Sequence, residues 1–172
     1  TVKLQDVPFG KFRDKGVPID NISNYDSQKE YAITVESQTS LNLYRILFVT
    51  AQAMMKIVDG GEFDVAKRTV AATKLQDNDE VISVEIIREQ KQVILQSAEG
   101  YFLRFGLEEV PEKKKSAVGV RGMKLSDKDH VEAVYYTLAA MPDPDIVYKD
   151  KHVELQRIKP QHRDSKGTKL RL

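Results

Sequence analysis

The chain of 172 residues repeats itself at an interval of about fifty residues, and this period constrains its fold more than any single motif. Three segments hold an apolar strand pattern: Glu30-Tyr-Ala-Ile-Thr-Val35, Glu80-Val-Ile-Ser-Val-Glu85 and His130-Val-Glu-Ala-Val-Tyr135. A second element recurs at Tyr44–Thr50, Lys91–Ser97 and Asp143–Lys149. A third is a basic loop ending in Thr73-Lys-Leu75, Met123-Lys-Leu125 and Thr168-Lys-Leu170. A fixed period of this size marks supersecondary units that stack or radiate, because one unit cannot bury its apolar face alone.

The local signal is strand. Val93, Leu95 and Ser97, then Tyr101, Leu103 and Phe105, alternate with their neighbours around Ala98-Glu-Gly100, which reads as a hairpin. The same shape recurs at 46–58 around Ala51-Gln-Ala53 and at 146–158 around Lys149-Asp-Lys-His152. No stretch sustains the 3.6-residue apolar period of a capped helix. Pro8, Pro111 and Pro160 follow hairpins and stop the ladder. Four strands in about fifty residues is the size of a propeller blade. The expected fold is therefore all-β, with about three to four four-stranded blades in a single domain, residues 1–172. Val2-Lys-Leu4 reads as a hairpin's second strand, 139–144 as a connector, and the chain as three complete periods. Closed propellers typically have 4–8 blades, so an open arc or a fragment of a larger disc is expected.

Composition narrows the function. There is no cysteine, which removes disulfides and thiolate metal sites. No apolar run approaches a bilayer span, so no membrane partner is expected. The first residue is Thr1, so the chain reads as an excised fragment of a cytoplasmic protein. Lys and Arg total 27 against 26 Asp and Glu, which gives no global pull on nucleic acid. The charge is segregated, however. Lys113, Lys114, Lys115, Arg121 and Lys124 face only Glu112 within 111–124, and Arg157, Lys159, Arg163, Lys166, Lys169 and Arg171 face only Asp164 within 156–172. Lys11, Arg13 and Lys15 form an earlier cluster, and Lys67 and Arg68 another. A lone lysine run is usually a solvated loop, but a basic loop recurring once per radial unit makes a curved cationic track suited to phosphates of a bent duplex.

Other residues take plainer readings. Arg104 and Lys56, on second hairpin strands, are expected to face solvent, with a nucleic-acid-facing role as the alternative. His130, His152 and His162 lack metal spacing, and Asp77, Asp79 and Glu80 lack the spaced ligands of a calcium loop, so no metal site is expected. Gly119 and Gly122 read as turns needing positive φ. Tyr135 and Tyr136 lie on a blade strand and read as packing. No catalytic constellation emerges.

In joint periodic order, Ser116-Ala-Val-Gly-Val-Arg-Gly-Met-Lys-Leu125, Lys67-Arg-Thr-Val-Ala-Ala-Thr-Lys-Leu75 and Lys11-Phe-Arg-Asp-Lys-Gly-Val-Pro-Ile-Asp-Asn21 resemble the blade loops of one family. It is the C-terminal domain of the A subunit of bacterial type IIA topoisomerases, DNA gyrase and topoisomerase IV. The likeness runs along essentially the whole chain. It implies a β-pinwheel whose rim binds and bends double-stranded DNA without reading sequence. It also implies a catalytic tyrosine in a part of the protein outside this chain, so the fragment itself is expected to be no enzyme and to hold no cofactor. The parent would change DNA topology with ATP and Mg²⁺, beside a B subunit, near the bacterial nucleoid. Gyrase carries a box, Gln-Arg-Arg-Gly-Gly-Lys-Gly, in its first blade. Gln161, Arg163, Lys166 and Gly167 match it here, while His162, Asp164 and Ser165 depart and the segment lies near the chain's end. That favours a topoisomerase IV-like protein. The expected DNA contacts are Lys11, Arg13, Lys15, Lys67, Arg68, Lys113, Lys114, Lys115, Arg121, Lys124, Arg163, Lys166, Lys169 and Arg171. The rival reading is a propeller that binds peptides or proteins; a weaker one is an enzyme with a site at a blade junction.

Overall fold

The computed structural model describes residues 1–170. Ten strands follow in chain order: β1 (Arg45–Thr50), β2 (Met54–Asp59), β3 (Val81–Ile87), β4 (Gln90–Ser97), β5 (Tyr101–Gly106), β6 (Val120–Arg121), β7 (Val131–Leu138), β8 (Asp145–Tyr148), β9 (Lys151–Glu154) and β10 (Thr168–Lys169). All pairings within the sheets are antiparallel. The hairpins β1–β2 and β4–β5 turn the same way. The Thr50 hydroxyl accepts the Met54 amide at 3.1 Å, and the Ser97 hydroxyl accepts the Tyr101 amide at 3.2 Å. Thr50 and Ser97 thus bring the two hairpins into a common register.

The hairpins β1–β2 and β4–β5 each form the middle of a sheet. The first sheet runs β3-β1-β2-β6 and the second β10-β5-β4-β7, while β8 and β9 pair only with each other. The outer partner of each of these hairpins' first strand, β3 or β7, opens the next unit. The fourth strand comes from farther on, out of the basic loop that follows the next hairpin. Met54 pairs with Arg121 and Met55 with Val120; Tyr101 pairs with Lys169 and Phe102 with Thr168. Glycine makes these insertions possible. Gly119 has φ 108° and a Cβ there would lie 2.4 Å from the Met55 carbonyl oxygen; Gly167 has φ 82° and a Cβ would lie 2.5 Å from that of Phe102. No other residue fits either the backbone conformation or the space.

The sheets bury both faces, and strand periodicity of two sorts the side chains between layers. Leu47, Val49, Met55 and Ile57 of the first sheet pack with Val93, Leu95, Leu103 and Phe105 of the second. The second sheet's far face sends Ile94 and Phe102 to Tyr148, Val153 and Leu155 of the third unit. Phe102 meets Tyr148 edge-on, with ring centroids 5.6 Å apart. Ile46, Phe48 and Val58 cover the first sheet's other face with Phe63, Leu41 and Tyr44. Each fully buried side chain of this size contributes about 1.5–3 kcal/mol relative to exposure, so blade-on-blade packing carries the fold.

The architecture is nearly all β, but residues 1–44 build no strand. Residues 30–35 form no strand, Val2–Leu4 gives way to a 3-10 turn at Leu4–Asp6, and 73–75 stay irregular. The topology supplies the reason. A strand such as β3 joins the first strand of the hairpin before it, and residues 1–29 form no hairpin. Similar 3-10 turns follow the hairpins at Gly60–Phe63, Leu107–Glu109 and Leu155–Arg157. The one α-helix among the described residues, α1 (Gln38–Leu43), is capped by Ser37, whose hydroxyl accepts the Ser40 amide at 3.1 Å.

Candidate nucleic-acid interface

After the 3-10 turns at Leu107–Glu109 and Leu155–Arg157 the chain crosses to the edge of the preceding sheet. The Ile57 amide donates to the Pro111 carbonyl at 3.2 Å, and the Lys113 amide to the Ile57 carbonyl at 2.8 Å. One unit later the Gln161 amide donates to the Arg104 carbonyl at 2.8 Å. A glutamate in the preceding unit's turn then grips the loop at two points. The Glu62 carboxylate accepts the Lys115 amide at 2.9 Å, and its carbonyl accepts Lys115 Nζ at 2.6 Å. The Glu109 carboxylate accepts the Arg163 amide at 2.9 Å, and its carbonyl accepts Arg163 Nε at 2.9 Å. The Lys115 amide, with Lys114 Nζ at 3.2 Å, holds the Glu62 carboxyl below the usual carboxylate range.

The two loops run side by side. Met123 and Ser165 form a parallel bridge, the Lys124 amide donates to the Ser165 carbonyl at 2.9 Å, and the Asp164 amide to the Gly122 carbonyl at 2.7 Å. Arg121 reaches across to Asp164 with both arms, Nε at 2.5 Å and Nη2 at 3.1 Å. That fork holds the Asp164 carboxyl below its ordinary range and pushes the Arg121 guanidinium up. Arg163 Nη1 also donates to the Arg121 carbonyl at 2.5 Å.

Two strand cations are not where the sequence placed them. Lys56 is 1% exposed, and its Nζ donates to the carbonyls of Lys114, Lys115 and Ala117 at 3.2, 2.6 and 2.7 Å. Burial pulls its pKa down, against the pull of Glu62. Arg104 donates to Gln92 at 2.7 Å and to the Asp143 carboxylate at 2.5 Å, in a largely buried pair. The expectation that both face solvent fails because both faces of these sheets are covered. A cation among apolar neighbours there must find protein oxygens.

The expected contact residues thus divide. Lys114, Lys115, Arg121 and Arg163 are tied to protein oxygens. Lys113, Lys124, Lys166 and Lys169 are exposed and make no ion pair among the described residues. Lys166 and Lys169 lie 4.6 and 5.1 Å from the centroid of the Tyr101 ring. Lys67 and Arg68 are exposed on the loop after β2, and Lys11, Arg13 and Lys15 on the irregular N-terminal stretch, apart from the two adjoining loops. Arg171 lies outside the described residues. Of the box-like segment, Gln161 donates to the Thr168 hydroxyl at 3.0 Å and Gly167 makes the tight approach to Phe102. The sequence reading missed Glu62 and Glu109. Their spacing, one hairpin register apart in matching turns, is the signal that exposes them.

A family described as the DNA gyrase C-terminal domain, a β-propeller, matches residues 44–88 and 91–137, more than half of the chain. The A subunit of DNA gyrase from Lawsonia intracellularis is 30% identical over 134 residues, covering 77% of this chain and 16% of that protein. Its counterpart from Klebsiella oxytoca is 28% identical over 131 residues, covering 76% and 15%. The chain therefore spans about a sixth of these relatives' length. The crystal structure of the C-terminal domain of DNA topoisomerase IV superposes with a TM-score of 0.78 at 23% identity, covering 96% of this chain and 53% of that one. The DNA gyrase A C-terminal domain gives 0.61 at 26%, covering 72% and 42%.

Proposed function

Since the chain belongs to the family of DNA gyrase C-terminal β-propeller domains, we propose that it binds double-stranded DNA with little sequence preference and bends it. The observation that carries this reading is the pair of basic loops lying in parallel, one from each of two successive units, at equivalent edges of stacked sheets. Lys113 and Lys124 project from one loop and Lys166 and Lys169 from the other, without carboxylate partners among the described residues. A duplex that meets both loops gains phosphate contacts at successive points of an arc. Such contacts position a duplex and do not read its bases. The near-zero net charge leaves the attraction to these local tracks.

The parent of this reading is a type IIA topoisomerase that pairs with a B subunit in a bacterial cytoplasm. Its strand passage, ATP and Mg²⁺ belong to parts outside this chain. The chain itself holds DNA and cleaves none. The departures in Gln161–Gly167 support a topoisomerase IV-like role over tight chiral wrapping. Asp164, one of the departures, spends its charge on Arg121 and so reduces the positive field a phosphate would meet.

The test is a titration of the chain with a duplex between 50 and 200 mM salt. Four lysines each neutralising one phosphate give a slope of about 3.6 in log K against log salt. A flat response, or cleavage of supercoiled DNA by the pure chain, overturns the proposal. Salt-insensitive capture of a peptide would put the interaction propeller in its place.

A further inference from the structure

We infer that Lys115 and Arg163 are positioning residues that set the attitude of each basic loop on the preceding blade, and that they are not phosphate contacts; this rests on the DNA-binding reading above. The same four-atom arrangement occurs twice. In each unit a turn glutamate offers its carboxylate to a loop amide and its own carbonyl to that residue's side chain. The amide and the cation come from one residue, so the backbone and the side chain of the loop are fixed together. One unit uses lysine and the other arginine. The shared requirement is a donor long enough to reach a carbonyl, not a particular head group.

A cation held this way is a poor phosphate ligand. Lys115 Nζ and Arg163 Nε and Nη1 are turned to carbonyls, and the neighbouring carboxylate offsets their field. What the grip does supply is geometry. Arg163 also donates to the Arg121 carbonyl, and Arg121 holds Asp164, so the third unit's loop is locked to the second's. The angle between the two rows of free lysines follows from these contacts, and with it the curvature of the duplex they favour. From below, Lys56 holds the carbonyls of Lys114, Lys115 and Ala117 and stiffens the same loop. The third turn, Leu155–Arg157, carries Arg157 where the others carry glutamate, and Arg157 pairs with Glu154 instead.

The experiment compares Arg163→Met, Arg163→Lys and Lys113→Ala in the whole 172-residue chain. It reads the salt slope of DNA binding and the bend of an end-labelled duplex by energy transfer. Lys113→Ala lowers the slope by about 0.9 and largely keeps the bend. Arg163→Met keeps the slope and straightens the duplex, and Arg163→Lys restores much of the bend because the neighbouring unit already works with lysine. A slope that falls by about 0.9 in Arg163→Met makes Arg163 a phosphate contact and sinks the inference, as does an unchanged bend. A second measurement needs no DNA. Glu109→Ala speeds exchange of the Arg163 amide about tenfold or more, while Glu109→Gln, which keeps an acceptor, speeds it less. Unchanged exchange removes the grip itself. A parent chain with no salt dependence removes only the DNA reading.

Discussion

The first and second sheets share a backbone plan and differ in the side chains that fill it. Both have a hydroxyl-capped hairpin turn, a 3-10 turn with a gripping glutamate, and a positive-φ glycine that lets a distant strand add. In the common register, however, the first sheet has buried Lys56 where the second has Leu103, and Ile57 where the second has Arg104. The second strand of each hairpin, β2 or β5, therefore holds one cation, on opposite faces. The first uses it to hold its own loop; the second uses it to bind Asp143 in the connector to the third hairpin. Glycine and hydrogen-bonding needs fix the plan, while each interface sets its own polar anchor.

The largest effect tests what the two sheets share. Leu95 lies fully buried in the core between them, so Leu95→Ala should cost about 2–5 kcal/mol of unfolding free energy. If the sheets are one cooperative unit, hydrogen exchange in β1–β2 and in β4–β5 should accelerate together. Acceleration confined to β4–β5 would break the pairing and make each sheet a separate unit.

Next comes the anchor that differs. Lys56→Leu makes the first sheet resemble the second at this position but leaves three carbonyls without their donor. The expected loss is about 1–3 kcal/mol in a denaturant melt, with faster exchange in 113–117. A neutral or stabilising result would show that water or a repacked loop satisfies those carbonyls, and that the buried ammonium is dispensable.

The smallest effect is in acid. Glu62 and Asp164 have carboxyls depressed by their loop partners. Each therefore adds stability above the ordinary carboxylate range, near about 4, and loses it as pH falls through the lower folded value. Acidification from neutral to about pH 3 should loosen the loops at 113–117 and 121–124, read as faster amide exchange, before the hairpin cores respond. Loops that stay protected as long as the cores would mean that the backbone contacts to Ile57 and Arg104 suffice without the carboxylates.

The hairpins and the basic loops were legible in sequence because each has a local cause. Alternation marked β4 and β5, Gly100 marked their turn, and charge marked 111–124. One fourth strand, β10, lies in the repeated Thr168-Lys-Leu170 segment, whereas β6 lies ahead of Met123-Lys-Leu125 and was hidden because two residues carry no periodicity. Lys56 and Arg104 were misplaced because a charge in an apolar strand looks the same whether it meets water or protein oxygens. Residues 30–35 have a strand's composition but no neighbour to pair with, and an unpaired strand has no ladder to stabilise it. Within the site, the cations were visible as a set, but their division into gripped and free depended on Glu62 and Glu109, which read locally as surface acids.

The late arrival of each fourth strand has a consequence for synthesis. When Asp59 has left the ribosome, the first sheet still lacks β6, which ends at Arg121. At roughly 5–20 residues per second, that edge stays open for about 3–12 s. Through that interval the nascent chain exposes the unpaired backbone of Met54 and Met55, a place where another chain could add. Translation speed across residues 60–121 should therefore govern how much of this protein matures and how much aggregates.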